Sequence, residues 1–345
     1  MKTFDKTYDV VELHGDGISA ELSESVHTVA DSLPFEVRFH PVDLSVENRD
    51  RLGAAIYDEA EARMRMTGVA IKYPTTTKNE SPNQELRKRL QFAVIHRPVC
   101  TIPGIATNFT KPLDIDIVRI ATGGTYEDAG RRIGPDTAIS VRVIARGPSR
   151  HAARFAFRLA MLRKSNVVST SKYTIQQATD GLFEEVVGRV ANDYPTIDYR
   201  RELFDALLAG IILRPDRYGV IVTPNEYGDF LSDAACGLIG SIGLGDSASY
   251  AFNDESEITT AMFDPAGGTA PDIAGQDIAN PTAALFAFAN LLRHIGEFDA
   301  GRELRQAVLD AIAEGDCTRD IGGKLGTKAF TNEIVNRMQS ALAGV

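Results

Sequence analysis

The sequence predicts an α/β protein organised as two lobes, and two observations carry that reading. The opening of the chain alternates short Val/Ile-rich runs with amphipathic stretches of helical period, the pattern of a sheet covered by helices. At 345 residues the chain can bury more than one small core, which points to two lobes. Hydrophobic content of 43% with 24% charged residues places it among ordinary globular proteins rather than disordered chains.

Tyr8-Asp9-Val10-Val11-Glu12-Leu13 reads as a first strand and runs into His14-Gly15-Asp16-Gly17-Ile18. Residues 18–33 then take a helical period. Gly-x-Gly after a strand resembles the start of a dinucleotide fingerprint, but the third glycine is missing; a sharp turn beside a cleft is the milder reading. His14, His27 and His40 show no ligand spacing and read as structural residues. Residues 35–39 form a second predicted strand, 52–66 a helix and 68–72 another short strand. In the polar stretch that follows, Ser81 is a helix N-cap with Pro82 at the first helical position.

Arg87 lies on that helix, Arg97 follows the apolar segment Phe92-Ala93-Val94-Ile95, and Arg119 ends a strand over 115–118. An arginine ending a buried strand needs an anion beside it. The fork of a guanidinium matches a carboxylate, so the three together could clamp a di- or tricarboxylate; singly, each also suits a surface. Thr122-Gly123-Gly124-Thr125-Tyr126 is a flexible turn delivering one phenol. Residues 139–144 alternate as a strand, 149–162 form a helix, and the strand 166–170 leads to Ser171-Lys172. Helices are predicted at 180–190 and 201–213, the latter holding Asp205 amid apolar neighbours.

The strand 218–223 leaves for Asn225-Glu226-Tyr227-Gly228-Asp229-Phe230-Leu231-Ser232-Asp233. A helix starting there stacks Asp229 and Asp233 one turn apart, a costly pair unless a cation lies between them. With no Cys or His nearby, the pair suits a hard ion such as Mg²⁺ or Mn²⁺; by itself the spacing also suits a capping aspartate beside a solvated one. Gly237, Gly240, Gly243 and Gly245 loosen the next segment. The loop Phe263-Asp264-Pro265-Ala266-Gly267-Gly268-Thr269-Ala270-Pro271-Asp272 suits backbone wrapped round a ligand. Residues 281–295 and 301–313 read as helices.

Net charge −10 from 37 basic and 47 acidic residues argues against nucleic acid as a partner. Cys100, Cys236 and Cys317 are odd in number, far apart and in no metal-like spacing, which fits a reducing cytoplasm. No apolar signal core follows the first residues, and the most apolar helical stretch, 281–292, is too short to span a bilayer. A cytoplasmic setting without membrane contact is the expectation.

These motifs together resemble the β-decarboxylating dehydrogenase family, which includes isocitrate, homoisocitrate, 3-isopropylmalate, tartrate and D-malate dehydrogenases. The marks are Gly15-Asp16-Gly17-Ile18, Ser81-x-Asn83-x-x-x-Arg87, Arg97-Pro98, Arg119 with Tyr126, and Lys172. The most specific are Asn225-x-Tyr227-Gly228-Asp229-x-x-Ser232-Asp233 and Gly268-Thr269-Ala270-Pro271-Asp272-Ile273-Ala274-Gly275. The resemblance spans essentially the whole chain. It implies a two-lobed fold with a discontinuous large domain, residues 1–93 and 240–345, around a small domain, 94–239, which carries a clasp and pairs with a second subunit.

By the same resemblance, Asp229 and Asp233 bind Mg²⁺ or Mn²⁺, and Asp205 reaches that ion from the partner chain of a homodimer with shared sites. Tyr126 is the general acid, and Lys172, again from the partner, handles the hydroxyl proton and the developing enolate. Lys72, Ser81, Asn83, Arg87, Arg97 and Arg119 hold a small polycarboxylate. Thr77, Gly268, Thr269, Ala270, Asp272, Ile273, Asn280 and Asp320 bind the cofactor. Asp272 can accept from both ribose hydroxyls, which implies NAD, while Arg319 pulls the other way. The implied reaction is oxidative decarboxylation of an isocitrate-like 2-hydroxy-3-carboxy acid. 3-Isopropylmalate, homoisocitrate, tartrate, malate or a phosphonate analogue of isocitrate are alternative substrates, and an inactive regulatory subunit is the alternative from another class. Departures from the family pattern are a shortened loop over 77–81, Tyr73 where glycine is usual, Gly267 in place of a histidine, and Thr174, Gln176 and Gln177 after Lys172.

Overall fold

The protein is described by a computed structural model over residues 6–240 and 244–343, so Gly243 lies outside the described residues. Ten strands form one continuous sheet in the order β2 (Glu36–Asp43), β1 (Thr7–His14), β3 (Val69–Lys72), β12 (Ile258–Pro265), β11 (Asp246–Phe252), β4 (Val94–Cys100), β5 (Asp114–Ile120), β10 (Val220–Thr223), β8 (Val167–Ser171) and β9 (Tyr199–Leu203). Pairing is parallel from β2 to β12 and again from β5 to β9, and antiparallel across β11 and β4. The result is a two-lobed α/β fold: two parallel wings, each covered by helices, meet at an antiparallel seam. Val10, Val11 and Leu13 of β1 and all of β10 are buried, as expected for parallel strands packed on both faces.

The strand period sorts the seam into two faces. In the β4–β5 register, Arg97 pairs with Ile117 and Arg119 with Ile95; these two arginines face α8 (Asn225–Leu238). His96 and Asp116, displaced by one residue, meet each other at 2.6 Å on the opposite face, under α5 (Arg146–Arg163). One side therefore holds a cleft between α4 (Pro82–Arg89) and α8, and the other a cavity of about 430 Å³ lined by residues of α5, α9 (Thr282–His294) and α10 (Phe298–Glu314). No helix of the described residues is long and apolar enough to cross a membrane.

Most predicted elements form, and the differences have physical causes. The helix expected over 52–66 starts later, as α3 (Ala55–Thr67), because Gly53 at φ 57° separates it from α2 (Val46–Leu52), a helix the sequence reading did not include. Residues 201–203 are not helical but end β9, because Arg201 pairs with Ser169 of β8 and stacks 4.2 Å over the Tyr173 ring; the helix, α7 (Phe204–Leu213), begins only after them. Of the strand expected over 139–144, only Ile139 belongs to one, in the small hairpin β6 (Arg131–Ile133) with β7 (Thr137–Ile139); Val143 makes an isolated bridge to Gly124. Arg119 lies within β5 rather than beyond its end. Strands β11 and β12 escaped sequence reading because Ser247, Ser249 and Thr260 are buried polar residues that hide their apolar character. Helix α11 (Thr327–Ala343) was likewise unread.

Gly15 and Gly17 act as contact points in the turn after β1. A Cβ on Gly15 would lie 1.9 Å from the Pro74 carbonyl oxygen; on Gly17, at φ +59°, it would lie 1.8 Å from that of Thr269. Gly17→Ala should therefore lower the unfolding free energy by about 2–4 kcal/mol in urea denaturation. A loss under about 1 kcal/mol would show that the 269 loop yields freely.

Candidate active site

The turn between the glycines is a buckle. One Asp16 carboxylate oxygen accepts from the Val46 N–H and the other from the Thr76 N–H, both at 2.8 Å, and Ile18 N–H donates to the Thr269 carbonyl at 2.9 Å. Three loops are thereby tied at one corner of the cleft, in keeping with the milder reading of Gly-x-Gly. The histidines are structural: His40 meets Asp9 at 2.8 Å, while His14 and His27 both approach buried Glu12. Burial alone would raise the Glu12 carboxyl, but hydrogen bonds from His14 and His27 hold it well below the usual carboxylate range. Tyr73, at the position where glycine was expected, fills this pocket and donates to Glu12 at 3.0 Å.

The cleft itself measures about 900 Å³ and is lined by Ser81, Asn83, Arg87, Arg97, Arg119, Tyr126 and Asp229 among others. Helix α4 starts as predicted: Ser81 Oγ accepts from the Gln84 N–H at 3.4 Å with Pro82 in the first turn. This places Asn83 and Arg87 on the cleft wall. Asn83 Oδ1 and the Nε atoms of Arg87 and Arg97 are shut off from solvent without a hydrogen-bond partner among the described residues. Such groups cost free energy until a ligand meets them.

Arg119 is 2% exposed; its Nε donates to Asn225 at 2.8 Å and its Nη1 to Asp229. Burial, and then the charge of Arg87, pull its guanidinium down to about 10. Arg97 donates to Ser232 at 2.6 Å and to Asp233 at 3.0 Å. Burial also lowers Arg87. Tyr126, 43% exposed, donates to the second oxygen of Asp229 at 3.1 Å. Partial burial, then the charge of Asp229, hold its phenol above the ordinary value, hence protonated at neutral pH. Lys72 is buried, and its Nζ donates to the Tyr73 carbonyl at 3.0 Å. Burial pulls it down to about 8 against the pull of Asp264. Asp264 was given no role from sequence, although an acid in that loop needed a partner.

Two expected site residues stand apart from this group. Lys172 and Asp205 pair with each other at 2.8 Å, and Asp205 is 68% exposed. Among the described residues no three His, Cys, Asp or Glu side chains converge as a metal site. One chain therefore brings Asp229 and Asp233 together with the arginines and Tyr126, but not with Asp205 or Lys172.

The residues expected to hold a cofactor border the buckle. Gly268, Thr269 and Ala270 form the loop contacting Gly17, and Ile273 N–H closes a turn on the Ala270 carbonyl at 3.2 Å. Glu21, missed in the sequence, props this loop by accepting from the Gly275 and Asp277 N–H groups at 2.9 Å. Asn280 donates to Asp320 at 2.9 Å. Asp272 and Thr77 are exposed on the facing loops.

A sequence model described as isocitrate/isopropylmalate dehydrogenase matches residues 9–338. The chain is 35% identical over 330 residues to a 3-isopropylmalate dehydrogenase of Archaeoglobus fulgidus, covering 95% of this chain and 98% of that one. It is 33% identical to an isocitrate/homoisocitrate dehydrogenase of Thermus thermophilus, covering 96% and 99%. Among solved structures, isocitrate dehydrogenase from Methylococcus capsulatus superposes with a TM-score of 0.86 at 31% identity, over 96% of this chain and 99% of that one.

Lys72 sets a pH dependence. The unfolded chain keeps this proton up to the ordinary value of 10.5, the folded chain only up to about 8. Between those values a rise in pH favours the folded state. The unfolding free energy of the wild type minus that of Lys72→Met should climb across that window by up to about 3 kcal/mol. A flat difference in urea unfolding across that window would show an ordinary proton affinity at Lys72.

Proposed function

The chain belongs to the isocitrate/isopropylmalate dehydrogenase family, and on that premise we propose that it oxidatively decarboxylates an isocitrate-like 2-hydroxy-3-carboxy acid, using NAD and a divalent metal. The observation carrying this reading is the meeting of Arg87, Arg97 and Arg119 with Tyr126 and Asp229 in one cleft. Three guanidiniums near one another repel unless anions join them, and the two aspartates of α8 offset only part of that charge.

The residues fit both groups. Asp229 and Asp233 are an all-oxygen pair one turn apart at the cleft, the donor chemistry of Mg²⁺ or Mn²⁺, and exposed Asp205, paired with Lys172 in one chain, would exchange that partner for the same ion in a second copy. The loop 268–273 and Asp272 suit an unphosphorylated adenosine ribose. Held there, the metal would supply polarisation of the oxygen on C2 and NAD would supply the hydride acceptor. The arginines grip the carboxylates and hold C2 and C3 in place. Lys172 of a second copy takes the hydroxyl proton and steadies the enolate left as carbon dioxide departs from C3. Tyr126, kept protonated, returns a proton to C3.

Arg87 Nε, a buried donor without a partner, favours an anionic arm on C3, and Asn83 Oδ1, a buried acceptor without one, favours a polar group that donates; an isopropyl group would leave both unmet. An inactive regulatory subunit is disfavoured because Tyr126, Lys172 and all three metal aspartates are present. We retain the division into a large domain, 1–93 with 240–345, and a small domain, 94–239, as part of this proposal. A panel of 2-hydroxy-3-carboxy acids assayed for Mg²⁺-dependent NAD reduction tests the reading; no turnover of any acid would overturn it.

Asp229→Asn should cost at least about 3 kcal/mol in transition-state stabilisation, read from kcat/KM at saturating Mg²⁺. Near-wild-type turnover would remove the metal assignment. NAD should be preferred over NADP by at least about 2 kcal/mol in kcat/KM, with Asp272→Lys plus Ile273→Tyr narrowing the gap. A preference for NADP in the unaltered enzyme would make Arg319 the governing residue.

A further inference from the structure

A buried charge cluster behind the cleft has no part in the chemistry above. Arg142, 10% exposed, sends Nε and Nη2 to the same oxygen of Asp180, at 3.0 and 2.7 Å. Its Nη1 meets Glu226, and its guanidinium stacks 4.8 Å over the Tyr227 ring. Asp180 is fully buried in the first turn of α6 (Thr179–Ala191); its other oxygen accepts from the Lys172 backbone N–H at 2.8 Å and from the Tyr227 hydroxyl at 3.2 Å.

We infer that Arg142 is a positioning residue, whose forked hold on Asp180 fixes the backbone from which Lys172 reaches the active site of a second copy of the chain. The inference rests on the shared-site reading above. The geometry favours Asp180 as the route. With one Asp180 oxygen held by two N–H groups of Arg142 and the other by the Tyr227 hydroxyl and the Lys172 amide, the carboxylate is fixed at both oxygens, and the Arg142 bonds keep the second one aimed at that amide. Lys172 follows directly on β8, so the place from which its side chain starts, here toward Asp205 at 2.8 Å, is set by that single residue of backbone. The second link, through Glu226 to α8, leads instead toward Asp229 in the chain's own site. Two buried carboxylates share this guanidinium, so lysine, with its charge but no fork, is an inadequate substitute.

The test uses chains co-expressed with different tags and purified as mixed dimers, after circular dichroism and size-exclusion checks. Arg142→Met should lower kcat by about 100-fold with KM for the acid changed much less, since misplacing a catalytic group by about 1 Å has that scale of effect. Arg142→Lys, the variant to use if methionine prevents folding, should fall between. Mixed with Tyr126→Phe chains, the Arg142 variant should regain activity, because one site then combines an intact Tyr126 with a well-held Lys172. Mixed with Lys172→Met chains it should not. The reverse pattern would overturn the inference and assign Arg142 to its own site through Glu226, and recovery in neither mixture would reduce it to general structural damage. Lys172→Met mixed with Tyr126→Phe is the control for the shared site: failure there refutes that reading alone. Hydrogen exchange at the Lys172 amide then still reads the link, with faster exchange in the Arg142 variant supporting it and unchanged exchange overturning it.

Discussion

The structure depends on how it accommodates a buried arginine. Arg119 sits inside a strand of the central sheet, where an uncompensated guanidinium would cost several kcal/mol. Helix α8 supplies the answer, with Asn225 in its first turn and Asp229 one turn later both bound to Arg119. Gly228, between them, lets the helix approach, since a Cβ there would lie 2.6 Å from that of Arg119. The same contact that satisfies the arginine thus aims Asp229 into the cleft and stacks Asp233 toward Arg97.

The charge balance of the cleft follows. Arg87, Arg97, Arg119 and Lys72 gather against Asp229, Asp233 and Asp264, and burial disfavours the charged form of Lys72, Arg87 and Asp264 alike. Protein stability and ligand recognition pull in opposite directions there: polar atoms left without partners are a cost to the empty fold and a source of affinity for a matching anion. On the opposite face of the same strands the charges are already paired, as His96 with Asp116 and Arg163 with Asp114 and Asp116. One residue along β4, from Arg97 to His96, separates a face with unpartnered polar atoms from one whose charges are already paired.

Features written into local spacing were determined by the sequence alone. Ser81 and Pro82 start a helix wherever the chain goes, because cap and first turn are neighbours in sequence. Asp229 and Asp233 share a helix face because the α-helix turns every 3.6 residues. Val/Ile runs at β1 and β10 announce buried strands, since few other environments accept them. The motif series likewise marked the family over nearly the full chain.

Only the tertiary structure decided what depends on partners distant in sequence. Residues 201–203 look helical until β8 offers them a ladder, and β11 is a strand only because β4 and β12 flank its buried serines. Three arginines from α4, β4 and β5 become one cluster through sheet register, and Tyr73 replaces a glycine because Glu12 and its histidines lie beneath it. Lys172 and Asp205 pair away from the other candidate groups, an arrangement set by where β8 and α7 sit in the second wing. Periodicity reports the face of an element, whereas burial and long-range hydrogen bonding choose which faces meet, and that choice is made by the whole chain at once.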